Sequence, residues 1–156
     1  MNEKVLVIAV AVVASVILAT QFVGAVPATE SMAVNFTSIG LGVVTSSWRQ
    51  AGESDTWINT AVHNLLWQGD FEGNSVMEVR LVFYDYGTPD QTYTYHEIVT
   101  FTGTFLQEYT GTLTIMGGQG NWRVMSGTGE LSNLRGQGKM QLSGPGTWSF
   151  TGQVHF

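Results

Sequence analysis

The chain has 156 residues, a formal net charge of −6 and no cysteine. Its 44% hydrophobic content combines two unlike parts, because 18 of the first 25 residues are apolar whereas residues 26–156 are roughly 38% apolar, as in ordinary soluble domains. This length excludes a multidomain enzyme, the lack of cysteine excludes disulfides and thiolate chemistry, and the scarcity of Lys and Arg argues against nucleic acid as a partner.

Residues 1–25 are predicted to form a hydrophobic N-terminal helix that directs export. Lys4 precedes an apolar run over residues 5–19, and small residues lead to a cleavage position after Ala25, as in a secretory signal. The alternative is an uncleaved membrane anchor, because residues 5–26 are long enough to span a hydrocarbon core of about 30 Å. We therefore expect a secreted or anchored protein whose remainder lies outside the cytoplasm and meets the membrane only through this segment.

Residues 26–33 are predicted to be a short tether, and Asn35-Phe36-Thr37 is a glycosylation sequon that is usable only after export. Residues 26–156 contain 17 Thr, 17 aromatic residues and 18 Gly but only 4 Ala, a composition that favours strands and turns. Eight strand-like runs follow, over residues 34–48, 57–68, 75–86, 92–104, 107–116, 121–129, 134–142 and 147–156.

Turn residues separate these runs at short intervals. Gly, Asp, Asn and Pro cluster at residues 50–55, 69–74, 87–90, 117–120 and 143–146. Connections this short favour antiparallel neighbours, and eight such strands can close on themselves and so remove the free sheet edges. We predict an all-β domain over residues 34–156, an eight-stranded antiparallel closed barrel.

The period-2 pattern assigns an inward face to several runs. Over residues 76–84 the alternating apolar side chains are Met77, Val79, Leu81 and Phe83, and over the last run they are Trp148, Phe150, Val154 and Phe156. His155 alternates with the second set. It is therefore predicted to be exposed.

Two runs place polar residues on an otherwise apolar face. His63 and Asn59 share a face with Trp57 and Trp67, and Glu97 shares one with Tyr93, Tyr95, Val99 and Phe101. The opposite assignment for the second run, with His96 and Ile98 inside, stays open. If the aromatic faces point inward, Glu97 and His63 enter the interior, where burial and mutual charge would suit them to acid–base chemistry.

Residues 126–138 carry the most specific motif of the chain. Gly127-Thr128-Gly129-Glu130-Leu131, followed by Leu134-Arg135-Gly136, resembles a motif of small uncharacterised barrels in the allene-oxide-cyclase-like superfamily. Residues 44–48, 68–73 and 101–104 are similar to further parts of that pattern in the same order. The resemblance implies a lipocalin-like barrel whose wider relatives include plant cyclases, dirigent proteins and bacterial spirocyclases. No catalytic residue of these relatives can be assigned to a position in this sequence.

The aromatic interior favours binding of a small apolar or amphipathic molecule. The residues predicted to line this site are Trp57, Trp67, Tyr93, Tyr95, Trp148 and Phe150. One alternative is a cofactor-free cyclase or isomerase that uses Glu97 and His63, and another is a structural module that self-associates into a homo-oligomer. The hypothesis of an enzyme is less favoured than that of a binding protein. No cofactor or metal site is predicted, because two carboxylates in a turn, such as Asp70 and Glu72, are usually solvated.

Overall fold

The computed structural model describes residues 30–156, so the predicted N-terminal helix and its cleavage or retention lie outside the described residues. All eight predicted runs are strands, and residues 30–156 contain no helix. The strands are β1 (Met32–Gln50), β2 (Trp57–Gly69), β3 (Phe71–Tyr84), β4 (Thr92–Phe105), β5 (Tyr109–Gly118), β6 (Asn121–Gly129), β7 (Arg135–Gly144) and β8 (Thr147–His155). In this part of the chain, no helix is therefore long and apolar enough to cross a membrane.

Each strand pairs antiparallel with the next, and β1 also pairs with β8, so that the eight strands form a closed ring. The prediction of an all-β, antiparallel, closed arrangement is confirmed. Closure satisfies backbone groups that an open sheet would leave unpaired at its two edges.

One predicted turn is wrong. Residues 69–74 were expected to form a loop, but the chain reverses at Asp70 alone, and Phe71 already pairs with Phe105 in the sheet. Phe71 is completely buried, so its contribution to the core outweighs the turn propensity of its neighbours. The Asp70 carboxylate accepts a hydrogen bond of 2.6 Å from the Asn35 N–H, which ties this tight reversal to β1.

Aromatic side chains fill one half of the interior. Phe36 stacks on Trp67 and on Phe150, with ring centroids 4.9 and 4.7 Å apart, and meets Trp122 edge-on at 5.5 Å. The indole of Trp122 fits because its neighbour Gly138 has no side chain, and a Cβ there would lie 2.6 Å from Trp122 Nε1. The paired glycines of the Gly127–Gly138 region thus let large side chains and adjacent backbones approach closely.

The predicted faces of β3 and β8 agree with the structure. Val79, Phe150 and Val154 are buried, and His155 is exposed. In β4 the aromatic face points inward, so Glu97 is buried while His96 lies on the outer wall. This settles the assignment that the sequence left open.

The strands of the ring differ in length, and this shapes one end of it. β1 to β4 have 13 to 19 residues, whereas β5 to β8 have 9 or 10. β1 pairs with β8 only over Met32–Ile39, and β4 pairs with β5 only from Glu97 onward. The remaining parts of β1 to β4 therefore form a four-stranded extension beyond the closed part, and we call the end that carries it the open end.

Candidate ligand site at the open end

The inner face of the extension carries a continuous strip of aromatic rings. Trp48 stacks on Phe83 at 5.5 Å between ring centroids, Phe83 lies 5.9 Å from Tyr93, Tyr93 lies 6.4 Å from Tyr95, and Tyr95 lies 6.5 Å from Trp148. We call these five residues the aromatic strip. It runs from β1 through β3 and β4 to β8, and so crosses the open end from one side to the other.

Strand register shows that the strip belongs to the inner face. Directly opposed residues of an antiparallel pair point to the same side of the sheet. Phe83 pairs with both Trp57 and Tyr93, and Trp57 shares the face of the buried Trp67 because the two lie an even number of residues apart. Trp48 joins this face through its partner Asn59.

Parts of this inner face are nevertheless exposed. Trp48 is 49% and Tyr93 is 56% exposed, and Leu142, which pairs with Trp148 across β7 and β8, is 61% exposed. An inward direction combined with such exposure means that the opposite wall is too short to cover these side chains. The open end thus presents apolar side chains to solvent on its inner face.

Glu97 lies where the extension meets the closed part of the ring. Its side chain rests on the backbone of its cross-strand partner Gly117, where any larger residue would collide with it. The carboxyl group is almost fully buried, and this burial raises its pKa from 4.5 to about 7. Glu97 therefore changes between its neutral and charged forms near neutral pH.

Tyr95 connects β4 to the turn between β5 and β6. Its hydroxyl oxygen accepts a hydrogen bond of 3.0 Å from the Gly120 N–H, which fixes the ring beside Trp148. Partial burial raises the pKa of Tyr95, and the neighbouring carboxylate of Glu97 raises it further, so the phenol stays neutral at physiological pH.

A second polar group is buried on the same inner face. Ser38 pairs with Trp67 and Trp148, is only 1% exposed, and its hydroxyl has no hydrogen-bond partner among the described residues. A buried hydroxyl without a partner is unfavourable by roughly 1–3 kcal/mol. A ligand that supplies a donor or acceptor would remove this penalty.

The structure does not bring Glu97 and His63 together as a hydrogen-bonded pair. His63 is half-buried on the inner face of β2 and pairs with Met77, whereas Glu97 lies two strands away and pairs with Val79. Strand spacing of about 4.8 Å and a rise of about 3.3 Å per residue put their Cα atoms roughly 12 Å apart. Burial, rather than His63, is the cause of the raised pKa of Glu97.

The six residues predicted to line a ligand site divide between two places. Trp57, Tyr93, Tyr95 and Trp148 lie at the open end, whereas Trp67 and Phe150 are 1% and 5% exposed and belong to the packed core.

Sequence reasoning missed three aromatic residues of the open end as ligand candidates, namely Trp48, Phe83 and Tyr86. Phe83 lies on the predicted inward face, and Trp48 is the last residue of the first predicted run. The sequence pattern could therefore have indicated both as ligand candidates. Tyr86 lies in the turn after β3 and contacts Trp48 and Trp57 at 5.8 and 5.6 Å between ring centroids. The predicted run 75–86 includes Tyr86, but period-2 alternation puts it on the face opposite to Phe83, so alternation did not indicate that its ring joins the open end.

Neither the open end nor any other part of residues 30–156 gathers three or more His, Cys, Asp or Glu side chains in a way that could hold a metal ion. The polar groups at the open end include the hydroxyl of Tyr95, the carboxyl of Glu97 and the buried hydroxyl of Ser38.

The fold and site describe a small all-β protein with a closed, packed end and an open aromatic end. Residues 44–152 match the family model described as "Protein of unknown function (DUF3224)", and the chain belongs to this family. A similar solved structure is a protein of unknown function of the same family from Shewanella oneidensis MR-1. It shares 14% identity at a TM-score of 0.60, with 82% of this chain and 97% of that chain covered. No curated protein matches the chain.

The raised pKa of Glu97 predicts a pH dependence of stability. The folded state holds the proton up to a pH of about 7, whereas the unfolded state releases it near 4.5, so folding is favoured by protonation at low pH. This contribution is complete below pH 4.5 and is lost as the pH rises through 7. At 1.36 kcal/mol per pKa unit it reaches about 3 kcal/mol.

Urea unfolding of the protein and of the variant Glu97→Gln between pH 4.5 and 8 measures this effect. The variant should lose the pH-dependent difference and be the more stable protein at pH 8. Equal pH profiles for the two proteins would contradict the assignment.

Proposed function

We propose that this protein is an exported, lipocalin-like barrel that binds a small amphipathic molecule at its open end. The observation that carries the proposal is the aromatic strip, whose members point inward although two of them, Trp48 and Tyr93, are exposed to solvent. Apolar surface of this kind gains about 25 cal/mol for each Å² that a ligand covers, and stacked rings add further stabilisation.

The polar groups at the base of the strip favour an amphipathic ligand over a purely apolar one. The Ser38 hydroxyl has no partner among the described residues, and the Glu97 carboxyl is buried beside Tyr95. A ligand with a planar apolar body and one hydrogen-bonding group would satisfy both features. The deeper interior is already filled by the aromatic core, so the ligand would occupy the open end.

The location outside the cytoplasm rests on the sequence of residues 1–25, with its apolar run and small residues before Ala25. The resemblance of residues 126–138 to allene-oxide-cyclase-like barrels agrees with a ligand-holding interior. Both points support the proposal independently of the geometry of the site.

Binding of the neutral fluorescent probe N-phenyl-1-naphthylamine tests the proposal. We expect saturable binding, and we expect Trp48→Ala and Tyr93→Ala each to weaken it about tenfold, because each removes a ring from the exposed strip. Met116→Ala is the matched control, since Met116 is similarly exposed but lies on the outer wall. Absence of saturable binding, or equal weakening by the control, would refute the proposal.

A cyclase or isomerase activity at the same site is a second candidate, favoured by Glu97. A carboxyl group with a pKa of about 7 can donate or accept a proton at neutral pH, which is the property required of a general acid or base. In this mechanism the aromatic strip folds the substrate and Glu97 moves the proton.

Incubation with unsaturated epoxides, followed by chiral chromatography, tests the second candidate. The protein should give an excess of one enantiomer of a cyclic product, with a rate that changes around pH 7. Glu97→Gln should abolish the excess while still binding the fluorescent probe. A racemic product from the unmodified protein would exclude this activity.

Self-association is a third candidate, favoured by the free edge of β1. Residues 40–50 pair only with β2 among the described strands, and the stretch from Ser38 to Trp48 contains no charged residue. Exposed uncharged edges tend to pair with other strands, although two bulges in β1 oppose this. We infer that the partner of this edge is the β1 edge of a second copy of the protein, because two identical edges can pair antiparallel about a two-fold axis.

Light scattering of the full chain measures the mass. A dimer should form, and Val44→Lys should convert it to a monomer by placing a charge on the edge. Ile98→Lys places the same charge on the outer wall of β4 and should leave the dimer intact. A monomeric unmodified protein would show that the bulges suffice to protect this edge.

A further inference from the structure

The charges of the chain are divided unevenly between its two halves. Residues 30–108 contain ten carboxylates against two cations, whereas residues 109–156 contain three cations, Arg123, Arg135 and Lys139, against the single carboxylate of Glu130. The strands β5 to β8 themselves contain no acidic residue. One side of an acidic protein is therefore cationic, which a count of total charge does not reveal.

The three cations line two adjoining grooves on the outer wall. The larger groove has a volume of about 890 Å³ and contains Arg123 and Lys139, and the smaller has about 480 Å³ and contains Arg123 and Arg135. The two grooves share Arg123, Gln137 and Gln153. Among the described residues that line them there is neither Asp nor Glu.

The cations are free to meet a ligand because their present partners are neutral. Lys139 donates to the side-chain oxygen of Asn121, and Arg135 donates to the backbone carbonyls of Ser132 and Leu134. Glu130, the single carboxylate of residues 109–156, is not among these partners of Arg135. Instead, the Glu130 carboxylate accepts a hydrogen bond from the Thr110 N–H.

The register of β6 and β7 fixes how far apart the Cα atoms of the three cationic residues stand. Arg123 pairs with Gln137, which lies midway between Arg135 and Lys139 on β7. At about 3.3 Å per residue, the Cα atoms of these two cations are roughly 13 Å apart, and Arg123 stands roughly 8 Å from each. An extended chain with repeated negative charges can contact all three cations along such a spacing.

The neutral lining indicates the nature of that chain. Amide groups of Gln137, Gln153 and Asn121 and the hydroxyl of Thr151 line the grooves together with the cations, and these groups both donate and accept hydrogen bonds. The backbone at Gly138 and Gly152 is uncovered by side chains and forms part of the groove. Hydroxyl groups of sugars suit such a lining, and a flat membrane surface does not enter a groove.

We propose that the grooves of β6, β7 and β8 bind a linear polysaccharide that carries carboxylate or sulfate groups. The cations contact its charged groups, and the amide side chains contact its hydroxyls. This site lies on the outer wall, is separate from the aromatic strip, and does not depend on the proposed ligand of the open end.

Titration calorimetry of the full chain tests the proposal with dextran sulfate, with polygalacturonate and with neutral dextran of matched length. We expect saturable binding to the two anionic polymers that weakens as salt is added, and no binding to neutral dextran. The double variant Arg123→Gln/Lys139→Gln should bind about tenfold more weakly, because it removes two charge-assisted contacts.

The matched control is Arg49→Gln/Arg80→Gln, which removes the same charge from β1 and β3 and should bind like the unmodified protein. Equal weakening by the control would show attraction by net charge alone and overturn the proposal. Binding to anionic phospholipid vesicles without binding to either polymer would overturn it in favour of a membrane surface. Circular dichroism of both double variants verifies that they are folded.

Discussion

The pairing of β1 with β8 closes the ring, and the difference in length between these two strands decides what the ring can enclose. β8 has nine residues and β1 has nineteen, so closure extends only over Met32–Ile39. Within this range the side chains face an opposite wall and pack into a core. Beyond it, β1 to β4 continue with nothing opposite, and aromatic side chains that would otherwise be core become the surface of the open end.

Glycines leave room for large side chains both in the packed core and at its boundary with the open end. In the packed half, Gly138 and Gly152 leave the space that the Trp122 indole occupies, and at the boundary Gly117 leaves the space for the Glu97 side chain. A Cβ at these positions would displace one of these large groups, since a packed core has no room to adjust. Glycines of β5, β7 and β8 thus leave the space for the Trp122 indole in the core and for the buried carboxyl at its boundary.

The number of strands, their order and most inward faces could be predicted from the sequence, because period-2 alternation reports which side of a sheet a residue faces. Alternation does not show how deeply a side chain on that face is buried. Trp57 and Trp67 stand on the same face of β2, yet one lines the open end and the other is in the core, because only the lengths of distant strands decide which part of β2 is covered. The turn around Asp70 was predicted too long for a related reason. The burial of Phe71 depends on its partner Phe105, more than thirty residues away in the sequence.

The positions of Glu97 and Ser38 agree with our proposal that the open end binds a ligand. Neighbouring inward positions on β4 hold Val99 and Phe101, and an apolar residue in place of Glu97 would avoid the desolvation that raises its pKa. Ser38 likewise stands between aromatic partners without a hydrogen bond among the described residues. Ser38 and Glu97 lie beside the aromatic strip, whereas the other buried polar side chains, Asn59 and Ser75, have hydrogen-bond partners. Polar groups that destabilise the fold at one place only, next to an accessible apolar surface, are expected where a protein meets a ligand.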